Sequence, residues 1–183
     1  MSGSSVTTDS VTRRSDSDLL QPNLVATGTL VDLPLDGLLA QGIRALVLDV
    51  DRTLLPHRGS TLPEPMEAWL KRAQATMPLH LFSNNPSRSR IGGVAEQLGV
   101  DFTTSAGKPR RSPLRRVLQQ LDLPAAQVAM VGDRVFTDVL AGNRLGMYTV
   151  LVKPIDPSGQ PYRHDHWQRF EVKLAQLAGA DLP

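Results

Sequence analysis

Asp49 and Asp51 close the apolar run Ala45-Leu46-Val47-Leu48, and Thr53 follows at the same spacing. A short continuous apolar run fits a strand buried on both faces. The strand should stop at the acids, because an unpaired charge is costly to bury. Side chains alternate along an extended backbone, so Asp49 and Asp51 can gather around one small volume. Like charges that close repel, and a cation between them removes the repulsion. An isolated Asp-x-Asp is more often only an acidic turn. This pair differs in its position, at the carboxyl end of a buried strand, where open α/β sheets bind ligands.

Three more polar clusters follow strand-like runs or sit in loops: Ser83-Asn84-Asn85, Lys108, and Gly132-Asp133 with Thr137-Asp138. In a parallel sheet the strand ends share one edge, so the clusters should converge there. Together they hold a nucleophile, an acid, hydroxyl and amide donors, a cation and further carboxylates. That inventory suits phosphoryl transfer, which needs an in-line nucleophile, positive charge on the equatorial oxygens, and a metal. Hard carboxylate oxygens without nearby His or Cys favour Mg²⁺ over Zn²⁺. Gly107-Lys108 is only half of a nucleotide-binding loop: Phe102 stands where its first glycine is required, and Pro109 where Ser or Thr is. His57, His80, His164 and His166 form no metal-binding spacing.

The elements that must position these groups alternate between strand and helix patterns. Leu35, Leu38 and Leu39 suit a short helix closed by Gly42. Met66, Trp69, Leu70 and Ala73 mark a helix in Leu62–Met77, before a strand over Pro78–Phe82. Ile91, Val94, Ala95 and Leu98 mark a helix ending at Gly99, before a short strand over Val100–Thr103. Leu114, Val117, Leu118 and Leu121 mark the next helix, before a strand over Val128–Val131. Val139, Leu140 and Leu145 belong to a helix ending at Gly146, and Tyr148–Val152 is the last strand. A basic amphipathic segment, about 164–177, closes the chain and should pack on the sheet. The pattern implies a three-layer, Rossmann-like α/β fold: a parallel sheet with helices on both faces.

With 183 residues the chain can bury one α/β core. Its net charge of +2 argues against polyanion binding by the whole surface, so no nucleic-acid partner is expected. No apolar run is long enough to span a bilayer. Cysteine is absent, which excludes disulfides and thiolate chemistry. Residues 1–18 are rich in Ser, Thr and Asp and are expected to be a disordered tail without a secretory or transit signal. Residues 19–178 are expected to form the domain, and 179–183 a C-terminal tail. A cytoplasmic location, with peripheral contact at a membrane, is the expectation. Arg110, Arg111, Arg115 and Arg116 follow Lys108 at once. They form either a basic rim for an anionic substrate or membrane, or a solvated helix face.

Four stretches carry a family resemblance: Asp49-Val50-Asp51-Arg52-Thr53-Leu54, Leu81-Phe82-Ser83-Asn84-Asn85, Gly107-Lys108-Pro109, and Val131-Gly132-Asp133-Arg134-Val135-Phe136-Thr137-Asp138. In this order they resemble the haloacid dehalogenase (HAD) superfamily of aspartate-nucleophile phosphatases. The run from Gly132 to Arg144 resembles the YqeG family of subclass IIIA. The resemblance implies a HAD-like core. It assigns Asp49 as nucleophile and Asp51 as acid and base. Mg²⁺ would be held by Asp49, Asp133 and the backbone carbonyl of Asp51. Ser83 and the following backbone, with Asn84, would bind the phosphoryl oxygens, and Lys108 would neutralise charge. Asp138 would orient Lys108 or a water on the metal, and Thr53 would fix the loop beside the phosphate. Arg52 stands where the family more often has Asn or Gly.

The stretches between Asp51 and Ser83, and between Ser83 and Lys108, leave no room for a cap domain. An open site suits a large or membrane-borne phosphate. Relatives of the YqeG family that dephosphorylate phosphatidylglycerophosphate suggest that lipid phosphate as substrate, with a phosphorylated small molecule as the other option. The alternatives are a phospho-signalling receiver, a catalytically silent binding protein on the same fold, and a nucleic-acid end phosphatase. The oligomeric state is left open.

Overall fold

The computed structural model describes residues 15–57, 59–162 and 165–183. The expected tail before Ser15 lies outside them, as do Arg163 and His164 of the closing basic segment. Ser15 caps helix α1 (Asp16–Leu20), so the boundary expected at residue 18 falls inside a helix. At the other end, Ala180 and Leu182 are buried in one cluster with Leu20, Val135 and Ala175. The last residues are therefore part of the packed domain.

Six parallel strands form one sheet: β1 (Leu24–Val25), β2 (Ala45–Leu48), β3 (Leu79–Phe82), β4 (Asp101–Thr103), β5 (Val128–Gly132) and β6 (Tyr148–Leu151). Their order is β1-β6-β5-β2-β3-β4. Strand β2 lies between β3 and β5, and its residues are wholly buried. Alternation divides its side chains between two cores. Leu46 and Leu48 join Trp69, Leu70, Ile91 and Val94 on one face, from helices α3 (Glu64–Thr76) and α4 (Arg88–Leu98). Ala45 and Val47 join Leu114 and Val117 on the other, from helix α5 (Arg111–Leu121). This is the expected three-layer arrangement. Residues 49–78 join β2 to β3 and residues 83–100 join β3 to β4, each with one α-helix and, among the described residues, no inserted domain.

Local chemistry explains the punctuation. Helix α2 (Leu35–Ala40) is followed by Gly42 at φ 82°, and α4 by Gly99 at φ 65°, the left-handed region where a missing Cβ removes the penalty. Pro65 sits in the first turn of α3, where its missing N–H costs nothing. The helix expected to run to Gly146 is interrupted. Val135–Val139 forms a wider π-helical turn, and only Leu140–Asn143 (α6) is α-helical. Such turns shift side chains around the axis and are frequent at functional sites. Helix α7 (His166–Leu177) closes the described chain, capped by the carboxylate of Asp165.

The chain reverses its direction of travel across the sheet between β2 and β5. In an open α/β sheet, the crevice outside the carboxyl ends at this point is where a ligand fits. Asp49 follows β2 there, and Asp133 follows β5. Backbone pairing continues past β2, with the N–H of Asp49 donating to the carbonyl of Val131 at 2.9 Å.

Candidate active site

Lys108 is the centre of the buried group. Its Nζ is paired with Asp49 Oδ1, lies 2.6 Å from Asp138 Oδ1 and donates to the Phe82 carbonyl at 3.1 Å. Asn84 fixes the loop that carries it. The Asn84 amide oxygen accepts the Lys108 N–H at 2.7 Å, and its Nδ2 donates to the Lys108 carbonyl at 3.3 Å. Asp49 is fixed on its other oxygen by the Thr53 hydroxyl, which donates to Oδ2 at 3.0 Å.

Asp49, Asp133 and Asp138 offer one carboxylate oxygen each within 4.8 Å of one another, and all three are buried. The π-helical turn folds Asp138 back over the end of β5. A Cβ on Gly132 would come within 2.3 Å of Asp138 Oδ2, so only glycine allows this closure. Asp138 Oδ2 then accepts the N–H of Arg134 at 3.1 Å. Asp133 Oδ2 is buried and accepts no hydrogen bond; its nearest cation is Arg52 Nε at 3.8 Å. Two of the three carboxylates thus share one ammonium. Burial raises the carboxyl of Asp49 to about 6, with Lys108 pulling the other way and Asp138 and Asp51 adding to the rise. Burial likewise pushes Asp133 well above the ordinary carboxylate range, reinforced by Asp49 and Asp138. Burial pulls the Lys108 ammonium down, but Asp138 and Asp49 more than offset it, and its pKa is raised. An all-oxygen donor set with an unanswered buried carboxylate atom fits a hard divalent cation.

Asp51 lies apart from this triad. Its Oδ2 accepts the Ser83 hydroxyl at 2.9 Å, and its Oδ1 accepts Asn85 Nδ2 at 3.3 Å and is paired with the Arg90 guanidinium. Arg90 is anchored in turn on the carbonyls of Gly59 (2.8 Å) and Pro56 (3.0 Å). Two hydroxyls assigned near the phosphate by resemblance, Thr53 and Ser83, therefore each hold an acid. Arg90 was missed in the sequence. Its one legible signal is a cation in the first turn of a helix, against the dipole, which suggests a partner elsewhere.

Arg52 has φ 68°, which explains why Asn or Gly is the commoner residue at such a position. Its guanidinium crosses to Asp165 Oδ1 at 2.7 Å, and so joins the loop after β2 to the cap of α7. Helix α7 also braces the loop after β5. Gln168 Nε2 donates to the carbonyls of Asp133 (2.7 Å) and Val152 (2.8 Å). Glu171 accepts from Arg134 Nε at 2.7 Å and from the Val135 N–H at 3.0 Å.

These groups open onto a cleft of about 900 Å³. Asp49, Asp51, Asn84, Lys108 and Asp133 line it, with Arg52, His57, Arg134, Tyr162, His166 and Trp167 at its walls. None of Arg110, Arg111, Arg115 and Arg116 does. They are exposed on or beside α5, outside the cleft.

The geometry agrees with the comparisons to known proteins. A HAD-hydrolase-like family model matches residues 105–154, the span of Lys108, Asp133 and Asp138. The probable phosphatase YqeG of Bacillus subtilis is 30% identical over 119 residues, covering 64% of this chain and 69% of that one. The chain belongs to the YqeG family of HAD-like phosphatases. Membership in this family sets aside the receiver alternative. The mitochondrial phosphatidylglycerophosphatase GEP4 of Saccharomyces cerevisiae is another relative, 27% identical over 88% of this chain and 90% of its own. Two organellar phosphatidylglycerophosphate phosphatases, from Chlamydomonas reinhardtii and Arabidopsis thaliana, are longer, and the chain spans 49% and 41% of their lengths. A haloacid dehalogenase-like hydrolase from Brucella suis shares the fold, with a TM-score of 0.50 at 16% identity over 73% of this chain and 98% of that one.

Proposed function

We propose that this YqeG-family phosphatase hydrolyses phosphomonoesters through a phosphorylated Asp49, with Mg²⁺ as cofactor. The observation that carries the reading is Lys108, seated between Asp49 and Asp138 with Asp133 adjacent, where β2 and β5 open onto the cleft. Asp49, Asp133 and Asp138 would hold the metal, with the backbone carbonyl of Asp51. When bound, the metal supplies positive charge that offsets repulsion between the carboxylates and an incoming phosphate.

Asp49 Oδ attacks phosphorus and forms the aspartyl phosphate as the bond to the leaving oxygen breaks. Asp51 gives its proton to that oxygen and becomes a carboxylate. It then takes a proton from water, whose oxygen attacks the same phosphorus. The bond to Asp49 breaks, inorganic phosphate leaves, and both acids are restored. Lys108 supports the nucleophile and the charge gathering on the phosphoryl group. Ser83 and Asn85 keep Asp51 at the cleft wall, and Asn84 keeps the Lys108 loop in register with β3.

We further propose a membrane-borne phosphate, phosphatidylglycerophosphate, as substrate. Support comes from the open cleft, over which the described residues place no separate domain, and from relatives named for that lipid. The test is phosphate release from p-nitrophenyl phosphate and from phosphatidylglycerophosphate, each with Mg²⁺ and with chelator. Metal-dependent release from both is expected. Turnover insensitive to chelator would remove the metal from the mechanism. Release from the small ester alone would remove the lipid, and release from neither would leave a silent binding protein.

A further inference from the structure

Four of the five exposed large apolar side chains among the described residues lie on α7: Trp167 (54% exposed), Phe170 (52%), Leu174 (39%) and Leu177 (85%). Their spacing of three, four and three residues places them in one stripe along the helix. The opposite side of α7 is spent on the domain, where Glu171 and Ala175 are buried. Beside the stripe, on its solvent flank, stand Arg169 and Lys173, both exposed. The only acid in α7 is Glu171, and it is already paired with Arg134. The exposed positions of this helix therefore carry no acid. Packing on the sheet, the expectation for this closing segment, accounts for only one side of the helix.

The stripe is continuous with the cleft. Trp167 is both its first residue and part of the cleft wall, and the fifth exposed apolar residue, Tyr162, lines the same cleft. We propose that α7 is the docking face for an anionic phospholipid bilayer. It would lie in the interface plane with Trp167, Phe170, Leu174 and Leu177 against the acyl boundary. Lys173 then faces the negative headgroups. The inference rests on the reading above for the reason a bilayer is met, and it deepens that reading. A lipid phosphate reaches Asp49 along Trp167 and Tyr162 without leaving the membrane.

Two other occupants fit less well. A second copy, packed helix to helix, would bring Lys173 against its own kind with no exposed acid on α7 to answer it. The stretch before Ser15 holds only Met1, Val6 and Val11 as large apolar residues, too few to cover four side chains.

The test is binding to phosphatidylcholine vesicles with and without phosphatidylglycerol, read by co-sedimentation and by indole fluorescence. The chain has two tryptophans, and Trp69 is buried, so a vesicle-induced blue shift reports Trp167. Wild type should bind the anionic vesicles, shift its emission, and release at high salt. The triple variant Phe170→Ser, Leu174→Ser, Leu177→Ser should lose binding at least about tenfold. Its turnover of p-nitrophenyl phosphate should not change, since none of the three residues lines the cleft. Should the triple variant fold poorly, Leu177→Glu alone, at the most exposed position, should still weaken binding. Equal binding by wild type and variant, or no binding by wild type, overturns the proposal. So does a dimer that the variant converts to a monomer without any vesicle binding. Docking through α7 without hydrolysis of the lipid phosphate would keep the surface and remove only the substrate. Hydrolysis of detergent-dispersed lipid without docking would do the reverse.

Discussion

Arg90, in the first turn of α4, closes on Asp51 from thirty-nine positions along the chain and leaves Asp49 to Lys108. Each of the two acids at the end of β2 thus has its own cation. The division separates them in place, one clamped within the carboxylate triad and the other held at the cleft wall. On the proposed mechanism Arg90 acts through Asp51 and is a positioning residue.

Arg90→Gln should lower kcat by about tenfold to a hundredfold, within the range general acid–base catalysis contributes, with a smaller effect on KM. Arg90→Lys should recover part of the rate. A fall in kcat that lysine does not recover, or an equal change in KM, would assign Arg90 a purely structural role.

Asp49→Asn should remove turnover of any phosphomonoester while leaving the fold intact. The amide keeps the shape and can still accept from Thr53. Mass spectrometry of wild type quenched during turnover should find phosphate on Asp49. Near-native rates in the variant would end the covalent mechanism.

Asp133→Asn should make the metal-free protein more stable, by about 1–2 kcal/mol, because a buried carboxylate oxygen without a donor is removed. The same change should abolish the gain from Mg²⁺. For wild type that gain should approach about 2.7 kcal/mol at a metal concentration a hundredfold above Kd. Thermal melts of both proteins, with and without Mg²⁺, check this. An equal Mg²⁺ increment in both would move the metal away from Asp133.

Arg52→Gly and Arg52→Leu both lose the contact to Asp165. Only glycine also relieves the left-handed backbone. The leucine variant should be the less stable by about 1 kcal/mol or more. Equal melting temperatures would mean that the strain is absorbed elsewhere.

His80 gives a dependence on pH that does not involve the cleft. Burial holds its imidazole below the usual 6.5, against the opposing pull of Asp101. The unfolded chain therefore takes up a proton at higher pH than the folded one. The stability this site contributes at neutral pH is lost as pH falls below 6.5 toward the depressed folded value. His80→Gln should flatten that loss, so between about pH 7 and pH 5 its melting temperature should fall less than that of wild type. Parallel slopes would overturn the assignment.

Much of the architecture was legible because the central strands are continuous apolar runs and the helices stop at glycine. Asp49, Lys108, Asp133 and Asp138 could be gathered on paper because parallel strands place their ends on one edge. The sheet edge was harder: β1 is two half-buried residues and has no period to detect. The π-helical turn was invisible because its cause is tertiary, the return of Asp138 over Gly132. The pairing of hydroxyls with acids was not legible for a similar reason. Thr53 and Ser83 have two possible kinds of partner, and only three-dimensional placement chooses between a neighbouring carboxylate and a ligand. The exposed stripe on α7 has the same spacing as a buried one, and sequence periodicity does not say which side meets the domain.

The brace from Gln168 and Glu171 sets an order in time. The loop carrying Asp133 is completed by side chains 35–37 residues further along the chain. All six strands precede those residues. During synthesis the sheet can form while this loop is still unsupported. The catalytic edge is finished only when the segment that caps and builds α7 has been made and has docked. Support for this edge therefore comes after the last strand, and a nascent chain that has folded its sheet still lacks the brace on Asp133.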